Sequence, residues 1–117
     1  MPDATIRGRR AQVLGERAEA AVVAHLVRAG WEARVNPNRR SIVDVIANKP
    51  RRQTRYLQVK ASEAGTPPWP SDPDIRRLAG VATRNQGIAV VAFAKPLASR
   101  WQITYFSAMT GRQLDAD

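Results

Sequence analysis

Asp44 lies in the run Ile42-Val43-Asp44-Val45-Ile46-Ala47, apolar on both sides and rich in β-branched residues. A carboxylate in such a run is costly to desolvate unless a cation, hydrogen bonds or a proton offsets the cost. Fourteen residues on stands Gln58-Val59-Lys60. If the intervening turn centres near Arg51, an antiparallel pairing sets Asp44 opposite Gln58, with Lys60 one step further on the same face. Two chemistries follow. Lys60 can serve as a plain ion-pair partner for Asp44. Alternatively Asp44, the Gln58 side-chain oxygen, the Val59 carbonyl and Glu19 present hard oxygens to Mg²⁺ or Mn²⁺. With Lys60 orienting the attacking oxygen or offsetting charge, that set suits phosphodiester hydrolysis.

The elements that must position these residues are legible from periodicity. Leu14, Ala18, Ala21, Val22, His25, Leu26 and Ala29 recur at three- and four-residue steps, which predicts an amphipathic helix over 11–29 ended by Gly30. Glu19 borders that apolar stripe, whereas Glu16 projects from the other side. Trp31 to Asn36 alternates as a strand with one wet face, Asn36 to Ser41 is a loop, and Ile42 to Ala47 reads as a buried central strand. Asn48 to Gln53 is a turn, and Thr54 to Lys60 completes an antiparallel hairpin. Ala61 to Pro73 is a long loop carrying Trp69. Ser71-Asp72-Pro73-Asp74 starts a second helix, ended at Gly87. Ile88 to Ala94 reads as a buried strand and Trp101 to Ser107 as its flank. The expected order is α-β-β-β-α-β-β: one α/β domain over 11–107, with a basic arm at 1–10 and a tail at 108–117.

Composition narrows the partners. The chain of 117 residues carries 19 lysines and arginines against 10 acids, a net charge of +9. Met1 to Lys60 holds 13 basic and 5 acidic side chains, so nearly the whole excess lies in the half that contains Asp44 and Lys60. A polyanion is the natural partner. There is no cysteine and a single histidine, which excludes disulfides, thiolate zinc sites, cysteine nucleophiles and the HExxH motif. The longest apolar run, Ile88 to Ala94, falls far short of the ~18 residues that cross a bilayer, and a soluble cytoplasmic protein without membrane association is expected.

Gly15-x-x-x-Glu19 on a helix, Gly30-Trp31 after it, Ile42-Val43-Asp44 on a strand and Gln58-Val59-Lys60 on the next resemble the PD-(D/E)xK nuclease superfamily. Holliday-junction resolvases of archaea and their small bacterial relatives are the nearest in pattern, over roughly residues 10–106. The resemblance implies a restriction-endonuclease-like domain with a mixed central sheet flanked by helices. It implies Glu19 as the helix carboxylate, Asp44 as the central metal ligand, Gln58 and the Val59 carbonyl as further ligands, and Lys60 as the catalytic lysine, with Mg²⁺ or Mn²⁺ as cofactor. Two positions depart from the usual pattern. Gln58 replaces an acid, as in the Gln-x-Lys of Mrr-type endonucleases, and Val43 stands where the name-giving proline would approach the aspartate.

The expected function is therefore a metal-dependent DNA endonuclease acting on branched or single-stranded DNA, with a homodimer implied if two strands are cut symmetrically. Expected nucleic-acid contacts are Arg7, Arg9 and Arg10 in the arm, Arg39 and Arg40 before Asp44, Arg51 and Arg52 in the hairpin turn, and Trp69 as a stacking or dimer-contact residue. The competing readings are a non-catalytic nucleic-acid-binding module on the same scaffold, and an assembly subunit in which Asp44 and Lys60 form a buried ion pair. His25, on the apolar helix face, reads as a packed side chain rather than a general base.

Overall fold

The apolar stretches pair in the order in which the chain makes them. A computed structural model describes the backbone from Pro2 to Asp117 and the side chains from Gly8 onward, so the Arg7 side chain lies outside the described residues. Helix α1 spans Pro2–Arg28, followed by strands β1 (Glu32–Val35), β2 (Val45–Asn48) and β3 (Arg55–Ala61), helix α2 (Asp72–Arg84), and strands β4 (Ile88–Pro96), β5 (Trp101–Ser107) and β6 (Gln113–Leu114). The six strands form one mixed sheet in the order β1-β2-β3-β4-β5-β6. Only β3 and β4 are parallel; such a pair needs a crossover, and α2 supplies it.

Each face of the sheet has its own core. Ala18, Val22 and Leu26 of α1 pack against Val45, Ala47, Leu57, Val90, Ala92 and Tyr105 on one face. Leu78 and Ala82 of α2 pack against Val43, Ala89 and Val91 on the other. The β3 residues Tyr56 and Leu57 fall in opposite clusters, so the period-two rule puts Gln58 and Lys60 on the α2 side.

The helix ends are set by chemistry that the sequence displays in part. Gly30, at φ 97°, ends α1, with Trp31 N–H donating to Leu26 O and Gly30 N–H to Val27 O. These are the two bonds of a Schellman cap, in which glycine escapes the Cβ penalty of the left-handed conformation. Lys49 Nζ donates to the neighbouring Ala29 carbonyl at 2.9 Å. Helix α2 starts as expected, with Asp74 N–H donating to Ser71 Oγ.

Several boundaries differ from expectation. Helix α1 begins at Pro2 rather than Ala11: nothing breaks the backbone between them, although the apolar stripe that marks the helix fades there. The end of α2 uses Gln86, at φ 58°, as its left-handed residue. Gly87 answers a different need, because a Cβ there would sit 2.5 Å from the Thr54 carbonyl oxygen and the Tyr56 ring. Strand β2 begins at Val45, not Ile42. The expected tail contributes β6 and two carbonyl groups: Asp115 O accepts from Arg55 and Ala116 O from the indole of Trp31. Among the described residues no helix is long and apolar enough to cross a membrane.

Gly87→Ala should lower stability by about 1–3 kcal/mol through overpacking against the β3 backbone. A fall in the urea midpoint with unchanged slope is the expected reading; an unchanged midpoint would show that β3 and β4 can move apart at that point.

Candidate active site

The site is built where β2 leaves the regular ladder. Val45 pairs with Leu57, and the Asp44 N–H donates to the same Leu57 carbonyl at 2.8 Å, the two-against-one pattern of a β-bulge; Asp44 therefore falls against Leu57 rather than opposite Gln58 as the turn centre near Arg51 predicts. Val43 packs with α2 while Val45 packs with α1; the alternation of a regular strand is therefore broken at Asp44. There the side chain substitutes for backbone, and Asp44 Oδ2 accepts the Val59 N–H at 2.8 Å.

The approach to Asp44 is fixed by a polar loop. Asn36 N–H donates to the Asp44 carbonyl at 2.8 Å, and the Asn36 amide donates to the Val43 carbonyl at 2.9 Å. Asn36 Oδ1 accepts from Asn38 N–H, Asn38 Oδ1 from Arg40 N–H, and Ser41 Oγ from Val43 N–H. These local side-chain bonds hold a loop without secondary structure in one shape.

Glu19 reaches the same place from α1. It is buried, 9% exposed, and Arg39 holds it through a two-pronged ion pair, Nη1 to Oε1 at 2.9 Å and Nη2 to Oε2 at 3.3 Å. Its charge is felt at Asp44. Burial, with Glu19 adding repulsion, pushes the Asp44 carboxyl up to about 6, against the pull of the Val59 amide, Arg39 and Lys60. Lys60 is thus close enough to act electrostatically. It makes no ion pair with Asp44, however: among the described residues the ion pairs are Arg39–Glu19 and Arg77–Asp74. The plain Asp44–Lys60 bridge is therefore not formed, and Asp44 Oδ2 takes its hydrogen bond from the Val59 N–H instead.

Gln58 leaves an acceptor without a partner. Its Oε1 is buried and has no hydrogen-bond partner, and an unsatisfied buried acceptor costs about 1–3 kcal/mol. Asp44 and Glu19 are near enough to repel, and hard divalent cations take carboxylate and amide oxygens alike, so the residue types fit Mg²⁺ or Mn²⁺. Among the described residues no three His, Cys, Asp or Glu side chains lie together as a metal cluster.

The expected nucleic-acid contacts separate into groups. Arg9 and Arg10 lie on α1 and line a groove of about 500 Å³ with Glu63. Arg40 lies in the loop leading to Asp44, whereas Arg39 is held on Glu19. Arg51 and Arg52 sit at the opposite end of the hairpin from the site, a distance of roughly 20 Å at ~3.3 Å per residue. Arg52 and the buried Arg55 cover the Trp31 ring, with Arg55 4.5 Å and Arg52 5.8 Å from its centroid. Arg52 is exposed beyond that contact, which is a cation–π packing of the kind that holds a side chain over a ring.

Trp69 is 42% exposed and stands edge-on to Phe93 and Phe106, each at 5.9 Å between ring centres. Phe93 is the register partner of Lys60 on β4, so this aromatic cluster adjoins the site. His25 packs as expected, with Nδ1 2.9 Å from the Tyr105 hydroxyl. Sequence reasoning missed Arg76 and Arg84, which line a groove with Arg40; their common spacing from Gly80 on α2 was the available signal.

The fold is that of a restriction-endonuclease-like α/β domain, with a mixed sheet between helices. The structure of Archaeoglobus fulgidus Hjc, a Holliday junction resolvase from an archaeal hyperthermophile, shares this fold: the TM-score is 0.68 at 22% identity, over 81% of this chain and 73% of that chain. No family model and no curated protein matches.

A carboxyl raised by folding is more stable protonated, so its ionisation costs stability as pH climbs from the unfolded value near 4 through about 6. Asp44→Asn should therefore raise the stability of metal-free protein at pH 7 by on the order of 1–2 kcal/mol, discounted for partial solvent screening, and bring much less at pH 4. Urea titrations at the two pH values check this. Equal effects at both would contradict a raised carboxyl.

Proposed function

We propose that this protein is a metal-dependent DNA endonuclease that hydrolyses phosphodiester bonds, with branched DNA such as Holliday junctions as substrate and Mg²⁺ or Mn²⁺ as cofactor. The observation that carries this reading is the Asp44 carboxylate, fixed by the Val59 amide within electrostatic reach of Glu19 and Lys60, with Gln58, next to Val59 on β3, carrying a buried and unpartnered Oε1. The fold shared with a Holliday junction resolvase supports it.

Asp44, Gln58, the Val59 carbonyl and Glu19 would hold the metal, whose chemistry is to polarise the phosphate and lower the pKa of water. The protein's own groups do the rest. The Val59 amide keeps Asp44 aimed, and the Asn36-to-Ser41 loop keeps the strand entry rigid. Lys60 orients the attacking oxygen and offsets the charge that develops on phosphate. Arg9, Arg10 and Arg40 contact the backbone. Trp69, beside the sheet neighbour of Lys60, offers a stacking surface to an unpaired base. A homodimer would let two strands be cut symmetrically.

One observation favours a second reading. Arg39 already neutralises Glu19, as it would in a non-catalytic module that binds nucleic acid on this scaffold. Cleavage of four-way, single-stranded and linear DNA with Mg²⁺ or Mn²⁺ separates the two. For the nuclease, Asp44→Ala and Lys60→Ala each slow cutting by about 10³-fold, the scale of several kcal/mol of transition-state stabilisation. Mn²⁺ also raises the melting temperature of wild type but not of Asp44→Ala. A wild type that cuts no faster than either variant while binding DNA equally leaves the binding module standing.

A further inference from the structure

Between the loop that delivers Asp44 and helix α2 lies an open groove of about 630 Å³, and arginines line it from both walls. Arg40 comes from the loop with Asn38 and Ser41; Arg76 and Arg84 come from α2. Among the described residues none of these three arginines has an acidic partner, whereas the adjacent Arg77 is paired with Asp74 at 3.0 Å. Three unpaired guanidinium groups around one concavity repel one another until an anion enters. Gly80 lies between Arg76 and Arg84, one helical turn from each, and lines the same groove. Glycine costs about 0.5–1 kcal/mol within a helix relative to alanine. Here it keeps the wall hollow between the two cations, and a Cβ would approach Arg84 Nη1 to 3.3 Å.

We infer that this groove is a second DNA-backbone site, taking the phosphates of the duplex arm next to the bond to be cut. The inference rests on the DNA reading above and extends it to residues outside the cutting site. The dimensions match. Arg76 and Arg84 are eight residues apart, about 12 Å along a helix, the axial rise of about three to four phosphates on one B-DNA strand. Ser41 is three residues from Asp44, a span of at most about 11 Å, so the groove lies within a short stretch of backbone from the site. A neighbouring hollow of about 400 Å³ shares Ser41 and Val81 with it and extends the track to Arg34 on β1. Guanidinium forks hold phosphate oxygens in pairs without reading bases, so the groove contributes affinity and orientation rather than sequence preference.

The test uses the full chain carrying Asp44→Asn, which allows binding to be measured without cutting. Binding of a labelled four-way junction is followed from 50 to 200 mM salt in this parent and with Arg76→Gln and Arg84→Gln added. Loss of two phosphate contacts should flatten the slope of log K against log salt by about two. The parent then loses about tenfold more affinity than the variant over that range. Arg100→Gln with Arg112→Gln removes the same charge elsewhere and should leave the slope unchanged; thermal melts verify that both double variants fold. An unchanged slope for Arg76→Gln with Arg84→Gln, or an equal flattening by the control pair, overturns the groove. Cutting by wild type measured alongside keeps the readings apart: a flat groove result with active wild type defeats only the groove, whereas inactive wild type with a groove-dependent slope defeats only the nuclease.

Discussion

The candidate site depends on one hydrogen bond, from the Val59 amide to the Asp44 carboxylate. A strand that continued regularly through Asp44 would offer a carbonyl to β3 and turn its side chains alternately to the two helices. The break puts Val43 under α2 and Val45 under α1, and it leaves a β3 donor for a side chain to satisfy. Asp44 does so, and is thereby held against the sheet in an environment that disfavours its charge. The buried apolar residues on either side make the bond worth keeping, since an orphaned amide between two cores would cost more than the kink.

Around that bond the charges are arranged in opposition. Glu19 and Asp44 repel each other, and both are buried enough for the repulsion to matter. Arg39 answers from the loop, gripping one carboxylate and drawing on the other. Lys60 answers from β3 without closing an ion pair. The result is a cluster whose negative groups are only partly compensated, and nearby on β3 the buried Gln58 Oε1 has no donor, where buried polar groups usually close their hydrogen bonds.

Much of this was legible in the sequence. The turn centred near Arg51 follows from Pro50 and the charged residues around it, and with it the antiparallel pairing of β2 with β3, although the facing of Asp44 and Gln58 does not follow, because the Asp44 N–H bonds to Leu57. Glu19 was distinguished from Glu16 by its place beside the apolar stripe. Three features were not legible. The break at Asp44 is invisible because Ile42 and Val43 have the same β propensity as Val45 and Ile46, and only the competition between two cores decides where alternation stops. The use of Arg52 and Arg55 around Trp31 depends on a long-range fold that brings the hairpin turn, the start of β1 and the last residues together. The grip of Arg39 on Glu19 joins residues twenty positions apart through a loop whose shape no periodicity encodes.

Sheet order in this protein follows chain order, and that has a consequence for how the molecule assembles. Asp44, Gln58, Val59 and Lys60 all belong to one hairpin and its immediate entry, whose pairing is local and quick to form. Glu19 joins only when the long first helix docks. The acid, amide and ammonium groups are thus carried on neighbouring segments of chain, whereas the parallel β3–β4 pair that backs them closes only across the excursion through α2.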